Sequence, residues 1–106
     1  MSVVTSAVIY VEYAPTEVRE RLEEPLPFDP RAQAFRQLDD SAAGGRKCMQ
    51  SDVYAGGFNY LDSGALEDWF LDLPWGNVGS AVLIHDQEGD FRRVVTTPGW
   101  TREDTW

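Results

Sequence analysis

The side chains that could do chemistry in this chain of 106 residues are mostly carboxylates. Asp86, Glu88 and Asp90 alternate beside Gly89, and alternating acids next to a glycine can chelate calcium. A calcium-binding helix–loop–helix requires a loop of about 12 residues with a central glycine and a closing glutamate. This segment has no such frame. We therefore interpret it as a solvated hairpin turn, and we predict no metal site.

Histidine and cysteine occur once each, as His85 and Cys48. Nothing in the sequence pairs the two, and a nucleophile needs both a base and an orienting group. His85 precedes Asp86, but neighbouring residues of a strand point to opposite faces, so adjacency does not make them an acid–base pair. The sequence carries no phosphate-binding loop, nucleophile elbow, zinc set or dinucleotide fingerprint. It therefore predicts a protein that is not an enzyme and needs no cofactor.

Charge gives a stronger indication. The formal net charge is −9, which argues against general binding to nucleic acid or anionic membranes. Residues 48–91 contain eight acids and no Lys or Arg, whereas residues 1–47 contain eight acids and six bases. A surface of one sign can steer a basic partner into contact, although acidic surfaces also keep proteins soluble. A lone cysteine permits no intrachain disulfide, which is typical of the reducing cytoplasm.

The clearest helix carries three of these acids. Asp62-Ser63 is typical of a helix start, and Pro74 ends the pattern. Its apolar residues follow helical spacing and form one stripe: Leu66, Trp69, Phe70 and Leu73. The rest of its surface holds Glu67, Asp68 and Asp72, which we expect to face solvent.

Strand patterns surround this helix. Residues 3–13 are apolar on both faces, which is typical of a central strand. Residues 48–61 predict a second strand, in which Gly56-Gly57 indicates a bulge or a close backbone approach. Residues 80–85 and 91–97 predict a hairpin.

Two further segments have helical features. Asp29-Pro30 is a strong helix start, and it predicts a helix to Leu38 or Asp39 with Phe35 and Leu38 turned inward. Residues 16–24 are ambiguous between a short helix and irregular structure. The whole chain, 1–106, is predicted to be a single α+β domain. A mainly antiparallel sheet of about four strands would carry two or three helices on one face.

The aromatic residues leave two interpretations open. Tyr54, Phe58 and Tyr60 share one face of their strand, which lies either under the helix or exposed as a protein-binding patch. Trp75 falls in a turn after Pro74, and we expect it to be an exposed anchor for a partner.

Two short segments resemble known families. Residues 66–74, LEDWFLDLP, resemble the acidic, aromatic helices of some small phage anti-CRISPR proteins. Residues 84–89, IHDQEG, resemble an acid–glycine stretch of ArdA-type anti-restriction proteins, which are acidic DNA mimics. The resemblances imply a phage or bacterial anti-defence protein that disarms nucleic-acid-handling machinery. Immunity proteins against nuclease toxins are built on similar physical terms.

The leading hypothesis is a non-enzymatic, cytoplasmic binding protein that inhibits a basic partner, itself a nucleic-acid-binding protein. The predicted partner-binding residues are Glu67, Asp68, Asp72, Trp75, Asp86, Glu88 and Asp90. Two alternatives stay open. One is a small enzyme or ligand-binding domain with a pocket near Tyr54, Tyr60 and His85. The other is an accessory subunit of a larger assembly, held by exposed aromatic side chains.

Overall fold

The computed structural model describes residues 4–29, 31, 33–38, 43–47, 49–76, 81–87 and 92–97. Glu88, Asp90 and Cys48 lie outside these residues. The elements are β1 (Val4–Val11), α1 (Thr16–Leu22), β2 (Arg36–Gln37), β3 (Asp52–Asn59), α2 (Ser63–Asp72), β4 (Ala81–Gln87) and β5 (Arg92–Thr96). The five strands form one antiparallel sheet in the order β2-β3-β1-β4-β5. The α+β class is confirmed, with one more strand than expected.

β1 is the central strand, as its apolar character predicted. Ala7, Ile9 and Val11 lie on the face that the helices cover, and all three are buried. Val8 and Tyr10 lie on the opposite face and are exposed. Successive strand residues alternate between faces, so β1 contributes apolar side chains to both sides of the sheet.

Both helices pack on the same face of the sheet. Val18 and Leu22 of α1 are one turn apart and fully buried, as are Leu66 and Phe70 of α2. The predicted start of α2 is confirmed, because the carboxylate of Asp62 accepts a hydrogen bond from the Ala65 N–H at 3.1 Å. Neither described helix is long and apolar enough to cross a membrane.

The prediction of a helix that begins at Asp29-Pro30 is wrong. Asp29 accepts a hydrogen bond from the Arg31 N–H at 3.1 Å, a local turn rather than a helix cap. The chain then forms β2, and the Leu38 N–H donates to the Val53 carbonyl at 2.8 Å. Phe35 is buried as predicted, but Leu38 is exposed. Pairing with β3 outweighs the local helix propensity of this segment.

One glycine of the β3 pair makes room for a side chain. The ladder with β1 runs through Gly56 and Gly57 without a bulge, opposite Ala7 and Ser6. A Cβ on Gly56 would lie 2.6 Å from Cζ of Phe58, so the Phe58 ring occupies the space that a side chain would need, whereas a Cβ on Gly57 would meet nothing within 4 Å. The predicted bulge is therefore wrong, and the close approach at Gly56 is made by a side chain rather than by backbone.

Candidate functional site

The three acids of α2 have two different environments. Asp68 and Asp72 lie one turn apart on the exposed side of the helix, and neither makes an ion pair with a described residue. Glu67 instead points to the sheet, and its side chain is only 17% exposed. The expectation of three solvated carboxylates is therefore correct for two of them and wrong for Glu67.

Glu67 joins α2 to the β4–β5 hairpin. Its Oε2 lies 2.6 Å from His85 Nε2 and accepts a hydrogen bond from Arg93 Nε at 2.6 Å. Arg93 Nη2 also donates to Oε1 at 3.2 Å. His85 is fully buried and stands opposite Arg93 in the register of the hairpin. The sheet therefore presents both groups to one carboxylate of the helix.

This pairing sets the charge of Glu67. Burial by itself raises the pKa of a carboxyl, but the hydrogen bonds and charges of Arg93 and His85 outweigh it and lower the pKa of Glu67. Glu67 is therefore ionised at neutral pH, and Arg93 balances its charge. The site is a structural connection between helix and hairpin rather than a free surface charge.

The helical spacing of α2 distinguishes Glu67 from Asp68 and Asp72. At about 100° per residue, Glu67 lies about 60° from the buried Phe70, whereas Asp68 and Asp72 each lie about 160° from it. Glu67 thus borders the apolar stripe, and the other two acids oppose it. What the helix could not show is that His85 and Arg93 stand below that border.

The acids of the hairpin are only partly available. Asp86 is half-exposed and makes an ion pair of 3.2 Å with Arg92, its partner in the register. Glu88 and Asp90 lie outside the described residues. The stretch without bases is therefore partly neutralised by the two arginines that directly follow it.

Asp52 is a further acid with a structural role. Its carboxylate accepts hydrogen bonds from the Ala14 N–H at 3.0 Å and from Gln37 Nε2 at 3.1 Å, and it lies 3.9 Å from Arg19. It thereby ties the entrance of α1 and strand β2 to β3. Burial raises the pKa of the neighbouring Tyr54 hydroxyl, and the charge of Arg19 only partly offsets this.

Trp75 is not the exposed anchor that its turn position predicted. It is almost fully buried, and its indole N–H donates to the Phe70 carbonyl at 2.8 Å. The two rings lie 5.3 Å apart, in a tilted arrangement. Trp75 therefore closes the core after α2.

The residues of the alternative pocket are not brought to one opening. Tyr54 and His85 are fully buried on the helix side of the sheet, whereas Tyr60 is 58% exposed. Tyr60 borders a cleft of about 360 Å³ that Asp29 and Arg31 also line. Neither Tyr54 nor His85 lines this cleft. The described residues hold no cluster of three or more His, Cys, Asp or Glu that could bind a metal.

Helix α1 and the turn after it contribute further exposed acids. Glu20, Glu23 and Glu24 are exposed and make no ion pair within the described ranges, whereas Glu17 pairs with Arg21 at 3.4 Å. We call the exposed acids of the helices and of the turn after α1 that make no described ion pair the acidic helix layer: Glu20, Glu23, Glu24, Asp68 and Asp72. The near balance of charge in residues 1–47 concealed its α1 half. Of the arginines in that segment, Arg21 pairs with Glu17 and Arg19 lies near Asp52, while Arg36 lies on the other face of the sheet.

The fold and this layer together define an α+β protein whose two helices carry exposed acids without a described ion pair. Comparison with protein-family models, curated proteins and solved structures finds no match for the chain.

Proposed function

We propose that this chain is a non-enzymatic acidic binding protein that inhibits a basic, nucleic-acid-handling partner, in the manner of an anti-defence or immunity protein. The observation that supports this is the acidic helix layer, above all Asp68 and Asp72. Their carboxylates are exposed, share one side of α2 and make no ion pair with described residues. Acids of this kind are available to a partner, whereas Glu67 and Asp86 are already engaged.

The mechanism is electrostatic occupation of a cationic surface. A protein that handles nucleic acid carries Lys and Arg where phosphates bind. Carboxylates that approach those groups act as surrogate phosphates, so bound inhibitor and nucleic acid exclude each other. Exposed charges of this type mainly increase the association rate, and salt weakens their effect.

The test compares two variants that change net charge equally. The first, Asp68→Asn/Asp72→Asn, removes two charges from the acidic helix layer. The matched control, Glu12→Gln/Asp86→Asn, removes an exposed acid outside both helices and an acid of the hairpin. Each protein is immobilised, exposed to a bacterial lysate, and washed at low and then high salt before mass spectrometry. The captured partner is then purified and its affinity measured for all three proteins.

We expect capture of a basic nucleic-acid-binding protein that high salt releases. The layer variant should lose about 1 kcal/mol of binding, or about fivefold in affinity, and the control much less. The captured protein should also release its nucleic acid when wild-type protein is added. Equal affinity of all three proteins, or binding that salt does not weaken, would contradict the proposal.

The accessory-subunit alternative is favoured by a different observation, the exposed apolar side chains on the uncovered face of the sheet. It predicts an assembly held by apolar contacts, which salt does not weaken. The response to salt therefore separates the two functions in the same capture experiment.

A further inference from the structure

The face of the sheet opposite the helices is unusually apolar. Two rows of side chains cross it in register: Arg36, Ala55, Val8, Ile84 and Val94 in the first, and Val53, Tyr10, Val82 and Thr96 in the second. Leu38, whose N–H bonds to the Val53 carbonyl, extends the second row. We call these residues the open sheet face.

This composition differs from that of an ordinary solvated sheet. An antiparallel sheet with one wet face normally alternates apolar residues inward with polar residues outward. In these two rows the outward positions are mainly aliphatic. Val8 and Ile84 are each 37% exposed and Val94 is 62% exposed, whereas Val53, Ala55 and Val82 are half-buried. The next row along the strands is polar and contains Ser6, Asp86 and Arg92. A contiguous exposed apolar surface of this kind is typical of an interaction site.

We infer that the open sheet face is a dimer interface, on which the same face of a second copy packs. Charge favours this occupant. The charged side chains that the strands place on this side are Arg36 and the paired Asp86 and Arg92, so the strands give it little net charge. The excess of acids lies on the helix side, and two copies that meet through their sheets keep those acids apart. A basic partner would instead meet two arginines here.

Symmetry matches the aliphatic rows of the two copies. A twofold axis parallel to β1 places β2 of one copy over β5 of the other, because β1 is the central strand. Positions along the strands are kept, so the row of Val8, Ile84 and Val94 lies over the same row of the second copy. Aligned sheets of this type pack about 10 Å apart, with interdigitated side chains.

The available area is that of a small dimer interface. The five strands hold 30 residues, and each covers about 16 Å² of the face. This corresponds to about 500 Å² per copy and about 1,000 Å² in total, the area of a weak specific interface. Both acidic helix layers would then point outward, on opposite sides of the dimer. This inference stands whether or not the proposed function is correct.

The test measures the oligomeric state of the full chain by sedimentation over a range of concentrations. Val94→Lys introduces a charge at the most exposed apolar position of the face, on an edge strand. Ile84→Lys does the same nearer the centre. The control, Leu71→Lys, places the same charge at an exposed leucine of α2 on the other side of the molecule. Circular dichroism and thermal unfolding verify that each variant folds.

We expect a wild-type dimer that high salt does not dissociate. Val94→Lys should raise its dissociation constant about tenfold or more, since each substitution enters a twofold interface twice, while Leu71→Lys should leave it unchanged. If a lysine variant fails to fold, Val94→Thr keeps the strand propensity and should still weaken the dimer.

Several results would overturn the inference. One is a wild-type chain that remains monomeric at every concentration. Another is a dimer that neither Val94→Lys nor Ile84→Lys weakens. A monomer that dimerises only after removal of residues 98–106 would assign the face to the C-terminal segment of the same chain. Dissociation by salt would place the contact on charged groups instead.

Discussion

The two faces of this sheet differ in whether their side chains have partners within the described chain. On the covered face, the carboxylate of Glu67 contacts His85 and Arg93. On the open face, Val8, Ile84 and Val94 are exposed without cover from the described chain. On the outer side of α2, Asp68 and Asp72 likewise have no described counter-charge. The molecule thus combines an ion-paired contact between helix and hairpin with two surfaces, one acidic and one apolar, that are suited to external partners.

The largest effect should follow from breaking the connection on the covered face. Glu67→Ala leaves the buried His85 and the adjacent Arg93 without their shared carboxylate. We expect a loss of about 2 to 3 kcal/mol in the free energy of unfolding, measured by urea denaturation. Asp68→Ala, one residue further along α2, is the matched control and should change stability by less than about 0.5 kcal/mol. Similar losses for both variants would show that the connection is not what stabilises this helix.

Alanine substitutions at the two glycines of β3 allow the two faces to be compared directly. Gly56→Ala inserts a Cβ that would lie 2.6 Å from the Phe58 ring, on the covered face. We expect a loss of about 2 kcal/mol from overpacking. Gly57→Ala meets nothing within 4 Å on the open face, and alanine suits a strand better than glycine does. It should be neutral or slightly stabilising in the same thermal unfolding experiment, and an equal loss for both would refute the packing difference.

These contrasts show what a single sequence can predict here. The ends and apolar stripe of α2 were predictable because its cap, its periodicity and Pro74 are all local signals. β2 was not, since its two residues form a strand only through pairing with β3. The roles of Glu67 and Asp52 were also hidden. Each depends on which basic or amide group another element places beside it, and no local pattern records that.

Low pH should weaken the contacts that Glu67 makes on the covered face. The folded-state pKa of Glu67 is lowered below the unfolded value of about 4.3. Its contribution to stability is therefore fully present above the unfolded pKa, and it is lost as pH falls through the folded pKa. From about pH 5 downward, the wild type should lose more stability than Glu67→Gln, which cannot titrate at this position. Parallel stability curves for the two proteins would argue against this assignment.

The smallest predicted effect tests whether an acid of the acidic helix layer contributes to folding. Asp72 is the last residue of α2, where the helix dipole disfavours negative charge, and it follows Asp68 by one turn. Asp72→Asn should therefore raise the free energy of unfolding by about 0.5 kcal/mol, while Asp62→Asn, at the opposite end, should not stabilise. Thermal unfolding at low and high salt tests this, since salt should reduce the gain. If Asp72 lowers stability, a role outside folding would explain its presence. Asp72 is one of the two residues changed in the binding variant Asp68→Asn/Asp72→Asn. If Asp72→Asn proves destabilising, the carboxylate contributes to the fold, and its assignment to a partner loses support.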